Sequence, residues 1–146
     1  MRIVVGSDHA GFELKTMVAD HLEAAGHAVI DVGTHDSVSV DYPDYGAAVG
    51  RAVVGGEAEL GIAVCGSGVG ICIAANKITG VRGATVHDVT SARLSREHNN
   101  ANVMCLGQRF IGPQVALDAV DAFLTAQFAH GRHDRRVDKI HQLEQE

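Results

Sequence analysis

Cys65 stands at the head of a Gly-x-Gly-x-Gly run, Cys65-Gly66-Ser67-Gly68-Val69-Gly70. Closely spaced glycines permit positive φ and close backbone approach to a ligand. Amides leading into a helix form an anion site. A thiol beside such amides is favoured as a thiolate, which can act as a general base or a nucleophile. Other clusters hold residue types of comparable use. Ser7-Asp8-His9-Ala10-Gly11 offers a carboxylate beside an imidazole, and Gly107-Gln108-Arg109 offers a guanidinium. His98 is followed by Asn99-Asn100, close behind Arg93 and Arg96. Arg132-His133-Asp134-Arg135-Arg136 can hold a phosphate through paired guanidinium donors.

Each cluster also has a plainer reading. The glycine run is not Gly-x-Gly-x-x-Gly, because the third glycine comes one residue early, and no Gly-x-x-x-x-Gly-Lys-Ser/Thr run exists. A tight strand-to-helix turn without a ligand is the alternative. Cys65 can equally be a small buried hydrophobe. A cysteine phosphatase would carry an arginine where Ile71 stands. Cys72 and Cys105 fall inside predicted elements, where packing explains them. Ser7 or Asp8 can simply cap a helix. A solvated helix face accounts for Arg93 and Arg96, and a charged helix start accounts for the Arg132–Arg136 cluster. Asp36, Glu57, Glu59 and the remaining histidines carry no readable signal.

The elements that must position these residues alternate along the chain. Strands are expected at Ile3–Gly6, Ala28–Val32, Leu60–Cys65, Val81–Val86 and Val103–Gly107. Leu60–Cys65 is apolar on both faces, as in a covered parallel sheet. Helices are expected at Phe12–Ala25, from Asp44 as a cap to Val54, at Gly70–Ile78, at Asp88–Glu97, from Pro113, and at Asp134–Gln145. The first would bury Leu14, Met17, Val18, Leu22 and Ala25, with Gly26 closing it. The helix from Pro113 would bury Val115, Ala116, Ala119, Val120, Phe123 and Phe128. The basic cluster would mark a hinge into the last helix, whose thin stripe of Val137, Ile140 and Leu143 suits docking on another subunit. The pattern predicts a three-layer α/β/α fold: one Rossmann-like, five-stranded parallel sheet with helices on both faces. In such sheets ligands bind beyond the carboxyl ends of the strands, where the first three clusters fall.

Composition narrows the partners. A chain of 146 residues makes one domain, residues 1–146. Eighteen Asp and Glu against twelve Lys and Arg leave a net charge of −6, without the basic footprint of a nucleic-acid or anionic-membrane binder. Aromatics are 4% and Trp is absent, so base-stacking platforms are not expected. The longest uncharged stretch, Leu60–Asn76, contains four glycines and makes a poor membrane span. Three cysteines without zinc-site spacing, and a strand rather than a signal segment at Met1–Gly6, point to a cytoplasmic protein with reduced thiols and no metal. Nine of the twelve cations are Arg, and nine residues are His.

Six segments together resemble the ribose-5-phosphate isomerase B / galactose-6-phosphate isomerase family. They are Gly6–Phe12, Asp41–Tyr45, Cys65–Ile71, Ala74–Lys77, Ser95–Asn99, and Gly131–His133 with Arg136 beyond, in order over nearly the whole chain. The resemblance implies cofactor-free interconversion of an aldose phosphate and a ketose phosphate through an enediolate. It makes Cys65 the base that moves the proton between C1 and C2. A second branch uses a Glu from the glycine-rich loop, at the place held here by Ile71, so this chain resembles the Cys branch. Ser67 stands where a Thr is often found and keeps the hydroxyl. The loop glycines Gly66, Gly68 and Gly70 would stabilise the enediolate oxygen. His98, with Asp8, would open the furanose ring, and His9, Arg132 and Arg136 would hold the phosphate. Tyr42, Asn99 and Arg109 match further ligand-contacting positions.

The resemblance also implies a homodimer, or a tetramer built from such dimers, with sites shared between subunits. Asp8, His9, Tyr42, Cys65, Ser67 and the loop glycines would come from one subunit, and His98, Arg132 and Arg136 from its partner. The expected substrate is ribose 5-phosphate, in exchange with ribulose 5-phosphate. A hexose 6-phosphate or a tetrose phosphate handled by the same mechanism is the alternative, and a non-catalytic phosphosugar-binding module is the alternative of another class.

Overall fold

A computed structural model describes residues 1–146. Five strands, β1 (Arg2–Ser7), β2 (Ala28–Asp31), β3 (Leu60–Cys65), β4 (Gly83–Thr85) and β5 (Val103–Gly107), form one parallel sheet in the order β2-β1-β3-β5-β4. Helices α1 (Phe12–Ala24), α2 (Tyr42–Val54), α3 (Gly70–Asn76), α4 (Val89–Asn99), α5 (Pro113–Thr125) and α6 (Arg132–Leu143) complete the chain. Side chains along a strand alternate between faces, and the core divides accordingly. Ile3, Val5, Ile62, Val64, Met104 and Leu106 pack with α1, α4 and α5. Val4, Ala63, Cys65, Val103 and Cys105 pack with α2 and α3 on the other face. Two apolar faces explain why β3 is buried along its whole length.

The chain leaves β1 for β2 on one side and returns to β3 on the other, so the winding reverses between β1 and β3. The carboxyl ends of these two neighbours diverge into Ser7-Asp8-His9 and Cys65-Gly66-Ser67. That crevice is the site that a parallel sheet leaves open.

Several boundaries differ from the sequence reading. α2 starts at Tyr42, with Asp41 as its extended N-cap residue, so Asp44 lies in the first turn and is not the cap. Pro43 in that turn favours the earlier start. α1 buries Lys15 beside Leu14, Val18 and Leu22, while Met17 is exposed and Ala25 is the C-cap residue. α3 stops at Asn76, whose amide bonds both the Cys72 carbonyl and Gly83. β4 is only three residues, Gly83–Thr85. α4 runs on to Asn99, and Asn100 ends it in the left-handed region at φ 46°. α5 leaves Val115 exposed and ends before Phe128. α6 begins at Arg132, so the basic cluster forms its first turns and is no hinge before it. Of its apolar stripe Val137 is buried, whereas Ile140 and Leu143 are exposed. No helix is long and apolar enough to cross a membrane.

Candidate active site

Cys65 is the last residue of β3, and its side chain turns to the α2–α3 face. It is 4% exposed, at the floor of a cleft of about 290 Å³. The cleft is lined by Asp8, His9, Tyr42, Cys65, Ser67 and Arg109, with Ala10, Gly66 and Gly70 completing the wall. The Gly68 N–H donates to Cys65 Sγ at 3.1 Å. Ser67 Oγ lies 4.0 Å from the same sulfur and accepts the Val69 N–H at 3.2 Å, which leaves its own O–H free to donate. The loop can fold so tightly because Gly68 sits at φ +74°, where a Cβ would also stand 2.8 Å from the Gly107 backbone. Its carbonyl accepts the Thr85 hydroxyl at 2.7 Å. Behind it, the Gln108 N–H bonds the Cys65 carbonyl and the Arg109 N–H bonds the Gly66 carbonyl. The Arg109 guanidinium lies against Gly66, and the Tyr42 ring lies over Gly70, each in the space that a side chain there would need.

Asp8 follows β1 and caps a short 3₁₀ turn, His9–Gly11, by accepting the Gly11 N–H at 3.0 Å. Ser7 takes no part in capping: its hydroxyl is buried and makes no hydrogen bond. His9 projects from this turn into the cleft.

His98, Asn99, Arg132 and Arg136 do not line this cleft. The topology gives the reason. A helix that follows a parallel strand runs back to the amino edge of the sheet, and α4, at 11 residues, covers about 16 Å on the way. Its end is tied to the amino ends of β4 and β5: Arg82 Nε donates to the Asn100 carbonyl at 2.9 Å, and the Asn102 N–H donates to the Arg82 carbonyl at 3.0 Å. His98 therefore lies at the edge opposite Cys65. There its ring stacks on His133 of α6, with centroids 4.4 Å apart and planes 12° from parallel. Arg132 and Arg136 flank this pair on exposed turns. Burial, and then the neighbouring His98, Arg132 and Arg136, hold the His133 imidazole below its ordinary pKa, against a weaker opposite pull from Asp134. Asn99 borders a separate cavity of about 230 Å³ with Asn76 and Arg82.

The two other cysteines are buried together, Cys72 on α3 and Cys105 beneath it on β5. The neighbouring Cys105, Thr85 and Asn76 bring the Cys72 thiol down to about 7 against the effect of burial, while the neighbouring Cys72 and burial push the Cys105 thiol well up. No group of three or more His, Cys, Asp or Glu side chains converges to hold a metal ion.

Comparison with known proteins fits this architecture to a family. The family model described as Ribose/Galactose Isomerase matches residues 3–140. The chain belongs to that family. It is 48% identical over 144 residues to ribose-5-phosphate isomerase B of Escherichia coli K12, covering 99% of this chain and 97% of the relative. The ribose-5-phosphate isomerase B structure from Clostridium thermocellum superposes with a TM-score of 0.98 at 52% identity, covering 99% of this chain and 98% of that one. A Mycoplasma genitalium ribose-5-phosphate isomerase B solved with bound ribulose-5-phosphate gives a TM-score of 0.94 at 43% identity, covering 99% and 97%. The fold expected of a ribose/galactose isomerase is the one found.

The structure thus divides the sequence-predicted residues into two groups. Asp8, His9, Tyr42, Cys65, Ser67, Gly66, Gly70 and Arg109 meet at the cleft, with Gly68 just beneath it. His98, Arg132 and Arg136 gather at the far edge, with Asn99 next to His98 in sequence. Four contributors escaped the sequence reading. They are the Thr85 hydroxyl on the loop, the Val40 amide on His9, the His133 ring on His98, and Lys15 under the β2–α2 loop. Only Lys15 left a trace, as a cation set beside Leu14 and Val18 on the buried face of α1.

Proposed function

We propose that this chain interconverts ribose 5-phosphate and ribulose 5-phosphate, with Cys65 as the base. The observation that carries the reading is a buried thiol at the strand-reversal crevice, its sulfur hydrogen-bonded by the amide of a glycine-rich loop. The Cys65 thiolate takes the C2 proton of the open-chain aldose. The electron pair of that C–H bond forms the C1–C2 double bond, and the carbonyl oxygen becomes the enediolate oxygen. The Sγ–H then returns the proton to C1, while the O2 hydroxyl proton passes to O1 with the free Ser67 O–H beside it. Backbone amides aimed at the developing charge supply roughly 3–4 kcal/mol per donor in comparable oxyanion holes. Arg109 and His9 sit at the cleft to take the phosphate, whose binding energy orients the reacting carbons.

The second group of residues enters through a second copy. In this proposal the enzyme is a homodimer, or a tetramer of such dimers, in which the partner's α4–α6 edge closes the cleft. Its His98 would work with Asp8 on the ring oxygen, and its Arg132 and Arg136 would complete the phosphate clamp, with Asn99 a further contact. The exposed Ile140 and Leu143 of α6 suit such a contact. One isomerase domain over residues 1–146, working in the cytoplasm without metal or cofactor, completes the reading.

Cys65→Ala tests it. The variant is expected to lose isomerisation and the exchange of the C2 proton with solvent, while still binding the sugar phosphate. An active variant would remove Cys65 as the base. Comparing kcat/KM across four-, five- and six-carbon sugar phosphates decides the substrate, with the five-carbon sugar expected to lead. Absence of exchange with every sugar would leave only a binding module.

A further inference from the structure

His9 has two ring nitrogens, and its surroundings leave one free. The backbone of the 3₁₀ turn is fixed first. Asp8 caps it, the Asp8 N–H donates to the Val64 carbonyl at 3.3 Å, and Gly11 lies so close on β3 that a Cβ would be 2.4 Å from the Val64 oxygen. The ring is fixed next. The backbone N–H of Val40 donates to His9 Nδ1 at 3.1 Å. A backbone N–H can only donate, so Nδ1 must present its lone pair, and the proton of the neutral imidazole then resides on Nε2.

Val40 is held in turn by the loop that carries it. The Ser7 N–H donates to the Gly33 carbonyl at 2.7 Å, and the Thr34 N–H donates to the Ser7 carbonyl at 2.8 Å. The buried Lys15 ammonium joins Asp31 at 2.9 Å and also donates to the Thr34 carbonyl. At its other end the loop runs directly into α2 at Tyr42. The donor that sets the tautomer thus belongs to a segment anchored at both ends.

We infer that the Val40 amide is a positioning group that holds His9 as the Nε2–H tautomer and aims that single donor into the cleft. Two consequences follow for the reaction, and they rest on the isomerase reading above. His9 offers the substrate's anionic oxygens a hydrogen-bond donor, and it has no lone pair facing the cleft with which to compete with Cys65 as a base. Val40 acts only through His9 and touches no substrate.

The tautomer is read from the free protein, without substrate. Long-range proton–nitrogen NMR of the histidine-labelled chain, with His9 assigned by its disappearance in His9→Gln, is expected to show an unprotonated Nδ1 and a protonated Nε2. A protonated Nδ1 overturns the inference. Val40→Pro deletes the N–H, and Val40→Ala keeps it. Val40→Pro is expected to lose roughly 5- to 10-fold in kcat/KM, mostly through KM, the scale of one hydrogen bond, while Val40→Ala matches the wild type. Unchanged kinetics in folded Val40→Pro would overturn the positioning role. Should Val40→Pro not fold, the wild-type spectrum still decides. Failure of the isomerase reading shows itself separately, as wild-type protein inactive on every sugar phosphate.

Discussion

His133 is a titratable group that its surroundings make harder to protonate. Burial and the three neighbouring bases lower its pKa in the folded chain below the ordinary 6.5. The unfolded chain, free of those neighbours, binds the proton first as pH falls. Stability is therefore full above the unfolded value, and is lost as pH drops from 6.5 toward the lowered folded value. His133→Phe keeps an aromatic ring against His98 and removes the titration. Thermal melts from about pH 7.5 to about pH 5 are expected to show the variant gaining on the wild type as the pH falls. A constant difference would mean that His133 titrates alike in both states. The stacked pair also bears on the proposed role of His98, because a ring fixed in plane by its neighbour would need less ordering to meet a substrate. Cys65 depends on local order in a similar way, since its hydrogen-bond donor is Gly68, three residues on.

At the scale of elements, the β2–α2 loop depends on one cation from a helix that precedes it. Lys15 of α1 is 1% exposed, and its ammonium holds both Asp31 oxygens at 2.9 Å and the Thr34 carbonyl. Removing one partner of a buried pair strands the other. Asp31 is one-third exposed and recovers some water, which moderates the cost. Lys15→Met, matched in length but uncharged, is expected to destabilise the fold by about 2–4 kcal/mol, read as a lower urea midpoint with unchanged slope. A midpoint equal to that of the wild type would show the pair to be ornamental. This contact also marks where the sequence stops being readable. Strand β3, the glycine-rich turn and Pro113 at the start of α5 are legible because each is written in consecutive residues. The burial of Lys15, the bond from Val40 to His9 and that from Thr85 to Gly68 join residues 16, 31 and 17 positions apart. None leaves a periodic or motif signature. The start of α2 went astray for a nearer reason: Asp41 and Asp44 are both good capping types, and only the backbone shows which is extended. The family was legible because six segments together match its pattern. Which of those segments meet within one chain came only from the resemblance, which sets His98, Arg132 and Arg136 apart from the Cys65 cleft as found; no local signal carries it, because it depends on the direction in which α4 runs.

For the whole molecule, the −6 charge is unevenly spread. Arg132, Arg135 and Arg136 crowd the first turns of α6 beside His98 and His133, while the Cys65 cleft has Arg109 as its one arginine. A sugar phosphate bound at that cleft meets a single guanidinium from its own subunit, and the stronger cationic cluster lies at the far edge of the sheet. A two-fold related copy can bring that cluster to the cleft without moving either element, since the interface of a symmetric dimer places the same two patches face to face twice. The arrangement makes a prediction that no single-chain site can meet. Cys65→Ala and Arg132→Ala are each expected to be nearly inactive when pure. When the two are mixed, dissociated and reassembled, a hybrid dimer has one cleft with Cys65 from one subunit and Arg132 from the other, both intact, and a second cleft lacking both. Random pairing then restores activity toward about a quarter of the wild-type rate, the share of complete sites among all sites. If each cleft drew Arg132 from its own chain, every site in the mixture would lack one group or the other, and no activity would return. The same experiment with His98→Asn in place of Arg132→Ala is expected to return the same quarter if His98 acts on the partner's cleft as proposed, because α4 and α6 carry both residues to the same edge.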